Sequence, residues 1–178
     1  YAGTGQRELA AECGQKAYDL RERVSEREKL NISSSYIGAT GEVDKFIEAL
    51  ELWKRMYPRD FIPHNNLAVQ YNRIGQYEKA IDPASEALRL NPNSVFSYAA
   101  LATAFIGLNR FEEAKEIYQR ALAQKLDGTY IHSGFYQIAF VQGEMAAMRQ
   151  QIDWASGKPD EYAALGWQAR SAAFSGQL

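Results

Sequence analysis

One cysteine stands among the 178 residues, so no disulfide can close within the chain and no disulfide framework holds it together. With no histidine near it in sequence, Cys13 reads as a small buried apolar residue rather than a reactive thiol. Histidine is nearly as scarce, with two copies, His64 and His132. An excess of one charge sign is also missing: 20 basic side chains face 22 acidic ones, and the sequence pI is about 5.8. That balance excludes a nucleic-acid surface as the main role. The longest apolar run, "YAALATAFIGL" from Tyr98 to Leu108, is too short to span a bilayer, which takes roughly 20 residues, so this segment does not insert into a membrane. The opening "YAGTGQREL" lacks an initiating Met, a basic start and an apolar stretch. It is not a signal peptide, and the chain is expected to be a piece of something longer.

What is present is an amphipathic sentence said twice. "GQYEKAIDPASEALRLNP", Gly75 to Pro92, returns 34 residues later as "NRFEEAKEIYQRALAQKL", Asn109 to Leu126. Tyr77 becomes Phe111, Ala80 becomes Ala114, and Ala87-Leu88 become Ala121-Leu122. Ahead of each copy runs a second pattern, His64-x2-Leu67-Ala68-x2-Tyr71 and then Tyr98-x2-Leu101-Ala102-x2-Phe105. Spacings of three and four place these residues on one helical stripe. Each unit is therefore two antiparallel helices, A and B, which turn at Gly75-Gln76, Asn109-Arg110 and Gly143-Glu144. A single helical pair cannot bury its stripe, so neighbours must stack.

The pattern resembles the tetratricopeptide repeat: a large residue, a large-plus-small pair, an aromatic, two alanines and a closing proline in 34 residues. The resemblance implies an all-α, right-handed α-solenoid of about ten helices in a single domain over residues 1–178. The repeats are read as 27–60, 61–94, 95–128 and 129–161. A leading half-unit at 6–26 and a trailing one at 162–178 flank them. Unit one departs from the pattern, with Phe46 and Trp53 where the family has alanines. An indole needs more room than a methyl group, so units one and two are expected to stand further apart than units two and three. Ser25 and Glu28 form a capping box that starts the first helix A.

The helix of residues 6–24 is read as a helix B without its partner, with Leu9, Cys13, Ala17 and Leu20 on its stripe. Pro159 opens the last helix, a helix A without its partner. Apolar side chains at 6–24 and 160–174 are therefore expected to be exposed or to lie against another molecule. Pro83 is the other anomaly. It falls past the first turn of a helix B, where it removes a backbone bond to Lys79, and a bend on an outward-facing side is expected.

Residues 17–36 and the run "ALELWKRMYPRDFIPHNNLAVQYNRIGQYEKA" look like the repeat region of bacterial serine/threonine protein kinase chains that carry tetratricopeptide repeats. That likeness implies a soluble segment of a larger signalling chain, on the cytoplasmic or extracytoplasmic side of a bacterial cell. It confers no catalysis, because the chain has no Gly-x-Gly-x-x-Gly loop, no His-Arg-Asp and no Asp-Phe-Gly.

No catalytic residues, metal ligands or cofactor are assigned. His64 and His132 occupy the same position two units apart, which puts them on the order of 20 Å from each other. That distance is far too large for a shared metal, and both read as core residues. The acidic pairs Glu112-Glu113 and Asp160-Glu161 favour helix starts.

What remains is a surface. In this repeat family the helix A positions opposite the packing stripe line a concave groove that holds peptides. The corresponding residues here are Asn65, Asn66, Val69, Asn72 and Arg73 in unit two. Unit three gives Phe96, Ala99, Thr103 and Ile106, and unit four gives Tyr130, Ser133 and Gln137. Asparagine can bond both N–H and C=O of an extended chain, and the aromatics offer pockets beside it. The competing reading is that these aromatics pack against neighbouring helices. A clamp for a C-terminal carboxylate is argued against: its lysine and asparagine positions hold Asn31 and Ser35, its lysine and arginine positions hold Phe96 and Ala100, and only Asn66 fits. The expected function is a protein-interaction module for a peptide or protein segment. The alternative is a structural spacer that self-associates through its terminal helices.

Overall fold

The computed structural model describes residues 4–176, and every regular element among them is helical. The helices are α1 (Thr4–Asp19), α2 (Glu26–Thr40), α3 (Val43–Met56), α4 (Phe61–Arg73) and α5 (Tyr77–Leu90), followed by α6 (Val95–Gly107), α7 (Phe111–Ala123), α8 (Thr129–Gln142), α9 (Met145–Ala155) and α10 (Glu161–Phe174). A single 3-10 turn, Arg21–Arg23, separates α1 from α2. Consecutive helices pack as pairs, and α4, α6, α8 and α10 also pack one on the next, as in a solenoid of helix A elements.

Local sequence explains where these helices begin and end. Ser25 accepts a bond from the Glu28 amide while the Glu28 carboxylate reaches back to Ser25, a complete capping box. Asp60 caps α4 and Ser94 caps α6. The turns between paired helices need a left-handed residue, and Gly75, Gly143 and Asn109 supply it with φ of 73°, 73° and 59°.

The central core runs through α4 to α8. Ala80, Ala84, Ala87, Ala114 and Ala121 are fully buried, and their small side chains let helices approach closely. Tyr118 of α7 lies in this core, and burial pushes its phenol up to about 12, against a weaker opposing contact with Thr103. The folded form therefore holds the phenol proton more tightly than the unfolded chain does. Its contribution is complete below pH 10 and is lost as the pH rises through about 12. Stability should fall across that window by about 3 kcal/mol from this group. Urea melts at pH 9 and pH 11.5 would show it, and a Tyr118→Phe variant should lose much less on the same change.

The first unit is built differently. Trp53 has no exposed surface and donates its indole N–H to Asp60 Oδ2 at 3.1 Å. The same oxygen accepts from Arg27 Nε at 2.6 Å, so Asp60 ties the starts of α2 and α4 to the end of α3. Phe46 lies against Gly38, where an added Cβ would sit 3.1 Å from the ring, so α2 is small where α3 is large. No Cα of α2 comes within 8 Å of one in α4, whereas α4 and α6, α6 and α8, and α8 and α10 all approach within that limit. The first junction is open along its helix A side, as the bulk of Trp53 requires.

One expectation needs correction. Cys13 is exposed, not buried. The stripe Leu9, Cys13, Ala17 and Leu20 points outward, because α1 meets α2 through its neighbouring face. There Tyr18 stacks on Tyr36 at 4.2 Å, and Gln15 accepts from the Tyr36 hydroxyl at 2.7 Å. Helix α5 runs from Tyr77 to Leu90 with Pro83 inside it, half-buried and without the N–H that would bond the Lys79 carbonyl. The exposed apolar side chains expected near both terminal helices are there, at Leu9, Leu20 and Val24 and at Tyr162, Leu165 and Phe174.

Candidate binding face

The residues assigned to the groove divide into two sets. Asn65 and Asn72 stand two turns apart on α4 and both face α6. Asn65 Oδ1 accepts from the Ser97 hydroxyl at 3.1 Å, and Asn72 Nδ2 donates to the Ala100 carbonyl at 2.8 Å. These bonds stitch one helix A to the next and engage Asn65 Oδ1 and Asn72 Nδ2. Asn72 Oδ1 is buried without a partner. Ile106, two turns and one unit further, is 7% exposed and belongs to the core, so it is no groove residue. The physical reason is common to all three. Positions seven apart on a helix return to the same side, and on these helices that side meets the adjacent repeat.

The second set reaches solvent. Val69 and Arg73 on α4, Phe96 and Thr103 on α6, and Tyr130 and Gln137 on α8 are exposed, while Asn66, Ala99 and Ser133 are half-buried beside them. Phe96 and Tyr130 hold equivalent positions, 54% and 56% exposed, with ring centroids 5.2 Å apart and planes at 70°. Edge-to-face contact of this kind fixes the rings relative to each other without covering them. These rings touch each other across neighbouring helices and remain open to solvent.

The row continues onto α10, a helix expected from Pro159 but given no groove positions in the sequence reading. That helix starts at Glu161, thirty-two residues after Thr129, because α9 is a short helix of 11 residues. Counted from its own start, Tyr162 aligns with Phe96 and Tyr130, and Leu165 with Ala99 and Ser133; both are exposed. The short segment between Gly143 and Pro159 carries this shift in the sequence.

Elsewhere the polar side chains serve structure. His132 is mostly covered, stacks on Trp154 at 3.6 Å, and meets Asp127 Oδ1 and Gln151 Oε1 through its two ring nitrogens. Burial raises the Asp127 carboxyl, but bonds from His132 and Trp154 outweigh it and hold the group below its ordinary value. Lys158 covers the other part of this cluster, over the Trp154 ring. His64 contacts the Pro58 carbonyl oxygen at 3.1 Å. No serine or cysteine stands among these groups to act as a nucleophile. Among the described residues no three His, Cys, Asp or Glu gather as a metal site, and no helix is long and apolar enough to cross a membrane.

Residues 74–134 match the tetratricopeptide repeat family model. A small glutamine-rich tetratricopeptide repeat-containing protein 2 from Mycosarcoma maydis is 27% identical over 101 residues, covering 57% of this chain and 29% of that protein. The chain thus matches less than a third of the length of that relative. Among solved structures, a thermophilic TPR protein from Thermus thermophilus superposes with a TM-score of 0.76 at 19% identity, over 95% of this chain and 90% of that one. A tetratricopeptide repeat protein from Parabacteroides merdae gives 0.73 at 15% identity, over 94% and 66%. At these identities the superpositions speak for the fold alone.

Proposed function

We propose that this tetratricopeptide-repeat solenoid is a protein-interaction module and that it holds a peptide or protein segment along the face formed by α4, α6, α8 and α10. Stacked helical repeats create extended surfaces of this kind, and such proteins use them to bind partners. The observation that carries the reading is the row of exposed aromatic rings, Phe96, Tyr130 and Tyr162, at matching positions of three successive helices. Solvent exposure of large apolar side chains in a contiguous row marks an interaction surface. Asn66, Val69, Arg73, Ala99, Thr103, Ser133 and Gln137 supply the remaining contacts. Asn65, Asn72 and Ile106 support the wall from behind.

Selection from a random-peptide display library on the purified chain tests this directly. Peptides enriched on the chain should lose at least ten-fold in affinity toward a Phe96→Ala/Tyr130→Ala variant. They should bind a Met145→Ala variant normally, since Met145 is a still more exposed apolar side chain on α9, outside the row. Equal binding by both variants would place the partner elsewhere. Membership of a kinase-type signalling chain remains supported by the sequence likeness of residues 17–36 and the run from Ala49 to Ala80. The spacer reading draws on the exposed apolar faces of α1 and α10.

A further inference from the structure

Between α8 and α10 lies a cleft of about 300 Å³ whose walls are aromatic: Tyr136 and Phe140 on one side, Trp167 and Phe174 on the other. Phe140 and Phe174 meet edge to face at 5.7 Å, and the Tyr136 hydroxyl is already satisfied by Ser171 Oγ at 2.9 Å. The four aromatic residues make the apolar part of the lining, and Ser133, Gln137, Arg170 and Ser171 make its polar part. At the rim stands Arg170, exposed and without an ion pair among the described residues. Nothing nearby on these helices neutralises it. Helix α8 contains no acidic residue, and the sole acid within α10 is Glu161, about 13 Å along the helix at 1.5 Å per residue.

We infer that this cleft takes a bulky apolar side chain of a partner segment, with an adjacent aspartate or glutamate of that segment pairing with Arg170. The inference rests on the binding face proposed above and names the chemistry of its occupant. Two features decide for a side-chain carboxylate over a chain terminus. Ser133 and Gln137 line the cleft and also belong to the row of Phe96 and Tyr130, so an occupant of the row continues through the cleft. In addition, helices α4, α6 and α8 carry no acidic side chain at all, which leaves this wall hospitable to acidic residues along its length. An arginine fork on a carboxylate, next to an aromatic-walled cleft, gives both affinity and orientation.

The test uses acetylated, amidated decapeptides of Gly and Ser with one central Phe flanked on each side by two Glu, titrated into the 178-residue chain by fluorescence anisotropy. The Glu-flanked peptide should bind at least ten-fold more tightly than its Lys-flanked twin, and replacing its Phe by Ala should cost a similar factor. Arg170→Glu should reverse the preference between Glu and Lys, and Arg170→Gln should abolish it. Arg120→Glu, the same charge change on α7, should leave the preference intact. Equal binding of the twins to the wild-type chain overturns the inference. So does an equal effect of the Arg170 and Arg120 changes, or tight binding of a Lys-flanked peptide whose only carboxylate is a free C-terminus. If Phe96→Ala/Tyr130→Ala weakens the Glu-flanked peptide while Arg170→Glu does not, the binding face stands and the cleft assignment falls. If only Arg170→Glu weakens it, the row reading fails and the cleft remains.

Discussion

Replacing Trp53 by alanine should cost about 3–5 kcal/mol, the range for removing a buried indole. Trp53 has no exposed surface and lies with Leu50 and Leu67 at the junction of the first two units. Nothing around it can collapse into the space without moving α2 relative to α4, because those helices have no direct backbone approach to tighten. The loss also leaves Asp60 with Arg27 as its remaining long-range partner. In a chain of this size the change corresponds to a fall in melting temperature of about 10 °C. Trp53→Phe keeps most of the volume and forfeits the bond to Asp60, so it should cost a good deal less. Urea midpoints for the three proteins decide it. A loss below about 1 kcal/mol for the alanine variant would mean that the indole is not the wedge of this junction.

Gly134→Ala is the second large effect, and here two terms compete. Alanine is favoured over glycine inside a helix by about 1 kcal/mol. Against that, a Cβ on Gly134 would lie 2.1 Å from Cζ and 2.2 Å from the hydroxyl oxygen of Tyr118. Tyr118 is 2% exposed and has no free space to swing into. Overpacking a closed core costs about 1–3 kcal/mol, and a contact this short calls for the upper part of that range. The expected net loss is roughly 2 kcal/mol. Gly107 is the control: its Cβ would meet the Tyr77 ring at 2.5 Å, but Tyr77 is half-buried and can yield. Gly107→Ala should therefore be the milder change. A Tyr118→Ala change in the Gly134→Ala background should cost less than in the wild type. Full additivity would show that the two residues do not compete for space.

The helical starts at Phe61, Val95 and Thr129 were legible in the sequence because repetition amplifies a weak amphipathic signal. So were the turns at Gly75, Asn109 and Gly143, where the backbone demands a residue that tolerates positive φ. What periodicity does not carry is which neighbour a given side meets. Asn72 and Val69 are both off the packing stripe of α4, yet one bonds the Ala100 carbonyl and the other faces solvent. Separating them requires the position of α6, which is a property of the stack. The same limit misplaced α1: its apolar stripe was read correctly, but Tyr18 finds a better surface on Tyr36 one face over. The cleft beside Trp167 escaped because it depends on how α10 sits against α8, which periodicity does not carry.

The join between the first two repeats also has a mechanical meaning. The N-terminal ends of α2 and α4 are fastened through Asp60 by Arg27. Between their C-terminal ends lies a cleft of about 230 Å³ lined by Gly38, Phe46 and Arg73. Farther along, amide stitches from Asn65 and Asn72 bind α4 to α6 over two helical turns. A structure clamped at one edge and unstitched along the other is a door on its hinge, whereas the next joint is a seam. The fastenings along this coil are therefore unequal, and the first joint has the fewest between its A helices. Helix α2 reaches the backbone of the rest of the stack through α3, whereas α6, α8 and α10 pack directly on one another.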